Sequence, residues 1–188
     1  STLDFDAASV NRSELGWLVE VGPLLNRLWQ RLEANDNVQV LLGTTRCVNP
    51  NQSGVVLTLD QPEAGKERTI EVDADFLIAC DGARSAVREA LDVPLRHWRT
   101  GQMALTTVVR TQNPHSHTAW QRFLLDGPLA LLPSKDPHLC SIVWSQSEAN
   151  AEARIALTDT EFCRVLTRAS EGCLGEVQAV GPRQVFPL

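Results

Sequence analysis

Asp81, Gly82, Ser85 and Arg88 follow the apolar run Phe76–Cys80 within the stretch DFLIACDGARSAVREAL, residues 75–91. The order places a carboxylate, a glycine and the start of a helix-like segment at the end of a buried strand. In open α/β sheets this is where nucleotide cofactors bind. A carboxylate there can accept hydrogen bonds from a ribose, or from water held on a pyrophosphate. The glycine lets the backbone approach, and the amides of Ala83 to Ser85 add positive potential. A plainer reading fits the same residues: Asp-Gly after a strand is a common turn, Asp81 can be a helix N-cap, and Arg88 can be a solvated helix residue.

Other reactive residue types carry less. His115 and His117 flank Ser116 after Asn113-Pro114, a spacing that can hold a metal, but no carboxylate or cysteine lies close by. A surface loop is the expectation there, and His97 and His138 fall in turns. Five cysteines (Cys47, Cys80, Cys140, Cys163, Cys173) form an odd set without a CxxC pair. That argues against a disulfide framework or zinc site and for a reducing cytoplasmic compartment. Cys80 and Cys140 lie in apolar strand-like runs and read as buried, inert thiols. No nucleophile elbow, phosphate-binding loop or metalloprotease helix occurs, so hydrolase and kinase chemistry has no support.

The elements that must position these groups follow from patterning. The 188 residues are 43% apolar and 21% charged, an ordinary globular composition able to bury one good core or two small ones. A net charge of −6 favours neither nucleic acid nor an anionic membrane. No run reaches membrane-spanning length and no signal sequence opens the chain. Leu15–Glu20 reads as a strand, followed by an amphipathic helix from Pro23 carrying Leu24, Leu25, Leu28, Trp29 and Leu32 and ending near Asn35-Asp36. Val38–Leu42 reads as a strand, and Gly54–Asp60 with Arg68–Val72 as a hairpin turning in QPEAGKE. Phe76–Cys80 has the continuous apolar texture of a strand buried on both faces.

Past Pro94 the texture becomes antiparallel: Gln102–Thr111, Ala119–Leu125, Leu129–Leu132 and Leu139–Ser145 are strands with short connections. Trp120, Arg122 and Leu124 share one face, with Gln121, Phe123 and Leu125 on the other. Thr158–Ala169 is a helix with Thr158 and Glu161 spaced as a capping box. Val177–Phe186 is a last strand broken at Gly181-Pro182. The fold class is mixed α+β. A boundary falls between Pro94 and Gly101, with α/β texture before it and an antiparallel sheet with helices after it. Residues 1–20 read as a first strand region joining the second part, so the domains are 1–20 with 98–188, and 21–97. Both ends look cut, as in a piece of a longer protein.

Four segments in order give the chain a family likeness: ELGWLVE with LLNRLW; DFLIACDGARSAVREAL; WRTGQMALTTVVR; and AWQRFLLDGPLALLP with VGPRQVFPL. Together they resemble the middle of the FAD-dependent aromatic hydroxylases, the para-hydroxybenzoate hydroxylase-like group, and within it the hydroxylases of ubiquinone biosynthesis. The likeness covers nearly all of this chain and about the middle half of the family's length. The family's glycine-rich pyrophosphate fingerprint and its Gly-Asp segment at the flavin ribityl are not in these residues.

The resemblance implies part of an α/β FAD-binding domain over 21–97 and a substrate sheet over 98–188. It implies a parent enzyme in which NAD(P)H reduces FAD and O2 supplies oxygen to an electron-rich phenol ring bearing a prenyl tail. Asp81 and Gly82 would then approach the FAD ribose and pyrophosphate, with Ser85 and Arg88 supporting the motif beside the nicotinamide nucleotide. The strand at Cys47-Val48 would lie near the adenine. Gln102, Arg122, Phe123 and Leu129–Leu131 are the substrate-pocket candidates, and no catalytic side chain is implied. Two positions depart from the family pattern: Val21-Gly22-Pro23 stands where a polar residue is usual near the flavin, and Thr100 replaces an aromatic.

The resemblance also implies an enzyme meeting the inner membrane face, or other ubiquinone-biosynthesis proteins. The chain by itself is expected to be catalytically inert and, with open sheet edges, to self-associate. Two rivals remain: a flavin oxidoreductase that inserts no oxygen, and a β-rich module binding a lipid or protein. Whether the native gene extends past both ends separates the second rival from the enzymes.

Overall fold

Short antiparallel connections need only local ladder pairing, and they dominate the computed structural model, which describes residues 2–63 and 66–188. The chain divides into two units: residues 20–97, and residues 1–19 with 98–188.

The unit of residues 20–97 opens with helix α1, Val21–Glu33. Pro23 falls in its first turn, where a missing N–H costs nothing because no intrahelical acceptor is available. The apolar stripe from Leu24 to Leu32 has the expected helical spacing, and it is open to solvent. Strands β1 (Thr44–Pro50), β2 (Val55–Glu63) and β3 (Lys66–Ala74) form an antiparallel meander in the order β1-β2-β3. The expected turn within QPEAGKE falls partly on Ala64 and Gly65, which lie outside the described residues. Arg46 makes a bulge between the Thr45 and Cys47 pairings with β2. Helix α2, Ala86–Ala90, packs its Val87 against Val48 and Val55, with Leu57, Ala74 and Leu77 completing a small core.

Three expected strands are absent. Leu15–Glu20, Val38–Leu42 and Phe76–Cys80 have no ladder partner among the described residues. An apolar run becomes a strand only when an edge offers matching N–H and C=O groups. Phe76–Cys80 is also not buried on both faces. Leu77 turns toward the small core while Phe76 and Ile78 are 86% and 85% exposed, and the Cys80 thiol is exposed rather than buried.

The other unit begins with extended chain and one 3-10 turn, Ala7–Val10, capped by Asp6. Its sheet contains β4 (Gln102–Thr111), β5 (Trp120–Leu124), β6 (Gly127–Pro133), β7 (Leu139–Ser147), β8 (Val177–Val180) and β9 (Gln184–Pro187). The order is β5-β6-β7-β4-β8, with β9 also on β4 and every pairing antiparallel. Helix α3 (Glu148–Ile155) follows β7 directly and was not expected from the sequence. Helix α4 (Asp159–Ala169) carries the expected capping box, in which Thr158 Oγ1 accepts from the Glu161 amide and Glu161 Oε2 accepts from the Thr158 amide.

One sheet face holds the core. Leu105, Val109, Leu129, Leu131, Cys140, Ile142 and Trp144 pack with Phe162 and Leu166 of α4. Their period-two alternation along each strand is what a one-sided sheet demands.

Candidate functional site

Asp81 to Arg88 form a self-braced turn. The Val87 amide donates to Asp81 Oδ2 at 3.1 Å, and the Arg88 amide to Ser85 Oγ at 3.0 Å. Ser85, not Asp81, is the N-cap of α2, so Asp81 supports the helix start from one step outside. The Ser85 hydroxyl first, and the Val87 amide second, hold the Asp81 carboxyl below the ordinary carboxylate value of 3.8. The Arg88 guanidinium turns back onto the Ala83 carbonyl at 2.8 Å, bracing the loop. Gly82 has φ +83°, and a Cβ built there would meet nothing within 4 Å. The backbone beside Asp81 is thus bare and open, in a conformation that favours glycine.

The loop is tied to the meander by Val87. Val87 packs on Val48, so the Asp81–Arg88 turn and the Cys47-Val48 strand belong to one small core. Cys47 itself is half-buried, and its thiol donates to Asn49 Oδ1 at 3.2 Å.

The six-stranded sheet sorts the pocket candidates by face. The pairings Arg122–Leu129–Trp144 and Leu131–Ile142 lie on the helix-covered side. Leu129 and Leu131 are 0% and 2% exposed and fill the core, so they line no open pocket. Arg122 donates to the Ala169 carbonyl at 2.7 Å and contacts Glu171, so it caps the C-terminal end of α4. Phe123 and Ala130 fall on the opposite face, where Phe123 is 81% exposed. The pairings Phe123–Pro128, Ala104–Phe186 and Gln102–Ser147 place Gln102 on that open face as well.

Other sequence candidates resolve structurally. His115 is buried, not a surface residue: its Nε2 lies 3.1 Å from the carbonyls of both Ser134 and Asp136, and Nδ1 accepts from the His117 amide. The Nδ1 acceptor role requires the proton on Nε2, and the ring then staples the loop between β4 and β5. No cluster of three metal-ligating side chains exists among the described residues. Burial first, and the nearby Cys173 second, push the Cys140 thiol up to about 11. Patterning overlooked a polar cluster of Asp126, Gln146 and Arg154, although Gln146 continues the buried alternation Cys140, Ile142, Trp144. A polar residue in a buried register is the signal that marks it.

The family model described as FAD binding domain matches residues 19–180. The chain belongs to this FAD-binding domain family. Its curated relatives include the mouse protein "Ubiquinone biosynthesis monooxygenase COQ6, mitochondrial", 31% identical over 166 residues, covering 85% of this chain and 34% of that protein. The Escherichia coli 3-demethoxyubiquinol 3-hydroxylase is 31% identical over 149 residues, covering 77% of the chain and 35% of the enzyme. The chain therefore spans about a third of the length of these relatives.

Two solved structures share the fold of this FAD-binding-family chain. The flavin-dependent halogenase CmlS aligns with a TM-score of 0.60 at 20% identity, over 87% of this chain and 30% of its own. A salicylate hydroxylase substrate complex aligns with a TM-score of 0.57 at 20% identity, over 89% and 45%. The expected mixed class with an antiparallel sheet and the expected flavoprotein family both hold.

Proposed function

We propose that this chain is part of an FAD-dependent monooxygenase that hydroxylates the ring of a prenylated phenol in ubiquinone biosynthesis, with NAD(P)H as reductant. The observation that carries the reading is the family match across residues 19–180, joined to relatives named for that chemistry. Residues 21–97 are assigned to the FAD-binding domain and residues 1–20 with 98–188 to the substrate sheet.

The residues at the Asp81 turn fit the cofactor. A bare backbone at Gly82 with no Cβ, beside an exposed carboxylate, suits a ribose and pyrophosphate approaching closely. Asp81 would accept from a hydroxyl or a bound water, Ser85 and Arg88 keep the turn in shape, and the Cys47-Val48 strand offers backbone groups. Bound FAD supplies the redox and oxygen-transfer chemistry, so no acid–base pair is needed from these residues. Gln102 and Phe123, both on the open sheet face, are the substrate-side candidates; Phe123 offers an apolar surface that excludes water.

No helix among the described residues is long and apolar enough to cross a membrane. A prenylated substrate places the enzyme peripherally at the inner membrane face, with other ubiquinone-biosynthesis proteins as partners. The test uses protein made from the whole native reading frame, with FAD, NAD(P)H and isotopically labelled O2. The reading predicts one labelled oxygen on the ring of a prenylated phenol; NAD(P)H oxidation without labelled product rules it out. The 188-residue chain alone is expected to show neither activity.

A further inference from the structure

The β5–β6 hairpin lies at an edge of its sheet: among the described residues β5 pairs with β6 alone. Its turn is Leu125-Asp126, between the paired Leu124 and Gly127. Asp126 reaches back to the start of α3. Its Oδ2 accepts from the Ser147 amide at 3.2 Å, the Ser147 hydroxyl at 3.3 Å and Asn150 Nδ2 at 2.6 Å. Arg154, at the other end of α3, lies 3.9 Å from the same oxygen. The guanidinium of Arg154 stacks 4.2 Å over the Trp144 ring and donates to Gln146 Oε1.

Gln146 is fully buried, and its Nε2 has no hydrogen-bond partner among the described residues. A guanidinium offers only donors, so the Gln146 amide must turn its oxygen to Arg154, which leaves Nε2 on the unpartnered side. Arg183 completes the chain of contacts. It donates to the Arg154 carbonyl at 3.3 Å, pairs with Asp159 at 3.0 Å and stacks 5.0 Å over Phe162.

We propose that Asp126 and Arg154 together position the β5–β6 hairpin. Asp126, hydrogen-bonded to Ser147 and Asn150 and facing the Arg154 charge at 3.9 Å, ties the turn to α3 so that Phe123 presents a fixed surface on the open sheet face. The proposal rests on the aromatic-hydroxylase reading for its consequence, and on geometry alone for the tether. Edge strands lack a second ladder, so the turn tether decides how far the hairpin end can splay. Gly127 adds a constraint, since a Cβ there would sit 2.4 Å from the Ser145 carbonyl oxygen. The hairpin therefore lies flush on β7 when the tether is made.

The experiment uses holoenzyme from the whole native reading frame, carrying Arg154→Met, Arg154→Lys or Asp126→Asn. Methionine keeps apolar contact with Trp144 and loses both polar contacts; Asp126→Asn removes the charge with the smaller risk to folding. Hydrogen exchange should speed up at residues 124–127 in Arg154→Met and Asp126→Asn while α4 exchanges as before. KM for the aromatic substrate should rise about tenfold in Arg154→Met with kcat and FAD affinity little changed, and Arg154→Lys should recover part of the loss. Unchanged exchange at 124–127 in both variants overturns the proposal. A parallel loss of FAD affinity and α4 protection also overturns it, because that marks a purely structural role. If the wild-type enzyme hydroxylates no phenol, the functional reading fails while the exchange result still decides the tether.

Discussion

Asp81 braces the start of α2, and the cofactor role proposed for it can be separated from that one by measurement. Its carboxylate accepts from the Val87 amide and braces the α2 start from outside, while Ser85 is the N-cap, so Asp81→Ala leaves α2 with its cap. Gly82 and Gly127 make a second contrast. Gly127→Ala drives a methyl into the Ser145 carbonyl and should cost about 2–3 kcal/mol by overpacking and strain, read from denaturant midpoints. Gly82→Ala meets open space, so its cost is only the left-handed backbone penalty, about 1–2 kcal/mol. Cys140 should resist alkylation below its raised value of about 11 while exposed Cys80 reacts. The raised value favours the neutral thiol in the fold. Its stabilising share is therefore full below pH 9.0 and falls as pH rises toward about 11.

At the scale of elements, the α4 capping box is testable by itself. Thr158→Ala should cost about 1 kcal/mol of stability, seen as a lowered urea midpoint without a change in slope. The Thr158 hydroxyl and then its amide hold the Glu161 carboxyl below its ordinary 4.5. A depressed folded value makes that contribution full above pH 4.5 and lost as pH falls through the folded value. Glu161→Gln should flatten this part of the stability–pH curve. This helix, the four strands from Gln102 to Ser147 and the break at Gly181-Pro182 were legible because local pattern and local pairing agree there. Helix α3 was not legible: its eight residues carry one buried side chain, Ala151, too few to write a periodicity. The resemblance implies a pocket place for Arg122, and alternation gives its face, but neither says that the end of α4 covers that face.

For the molecule as a whole, the legible part was the family and the motif order, and the illegible part was which apolar runs find partners. Phe76–Cys80 has strand composition, but a strand needs a partner in register, and this run pairs with none among the described residues. The resulting exposed apolar surface, with Phe76, Ile78, Phe123 and Leu125 all open, predicts concentration-dependent association of this 20.7 kDa chain. Sedimentation velocity should show it, and Phe76→Ser with Ile78→Ser should reduce it; a chain monomeric at every concentration contradicts the expectation. The central claim is that the Asp81-Gly82 turn holds FAD, and one titration tests it most directly. FAD is titrated into protein from the whole native reading frame, wild type against Asp81→Ala, with apoprotein melting followed in parallel. The account predicts at least about a tenfold loss of FAD affinity with little change in apoprotein stability, the loss expected of one charge-assisted hydrogen bond. Equal FAD affinity in the two proteins would contradict it and leave Asp81 as a brace of the α2 start alone.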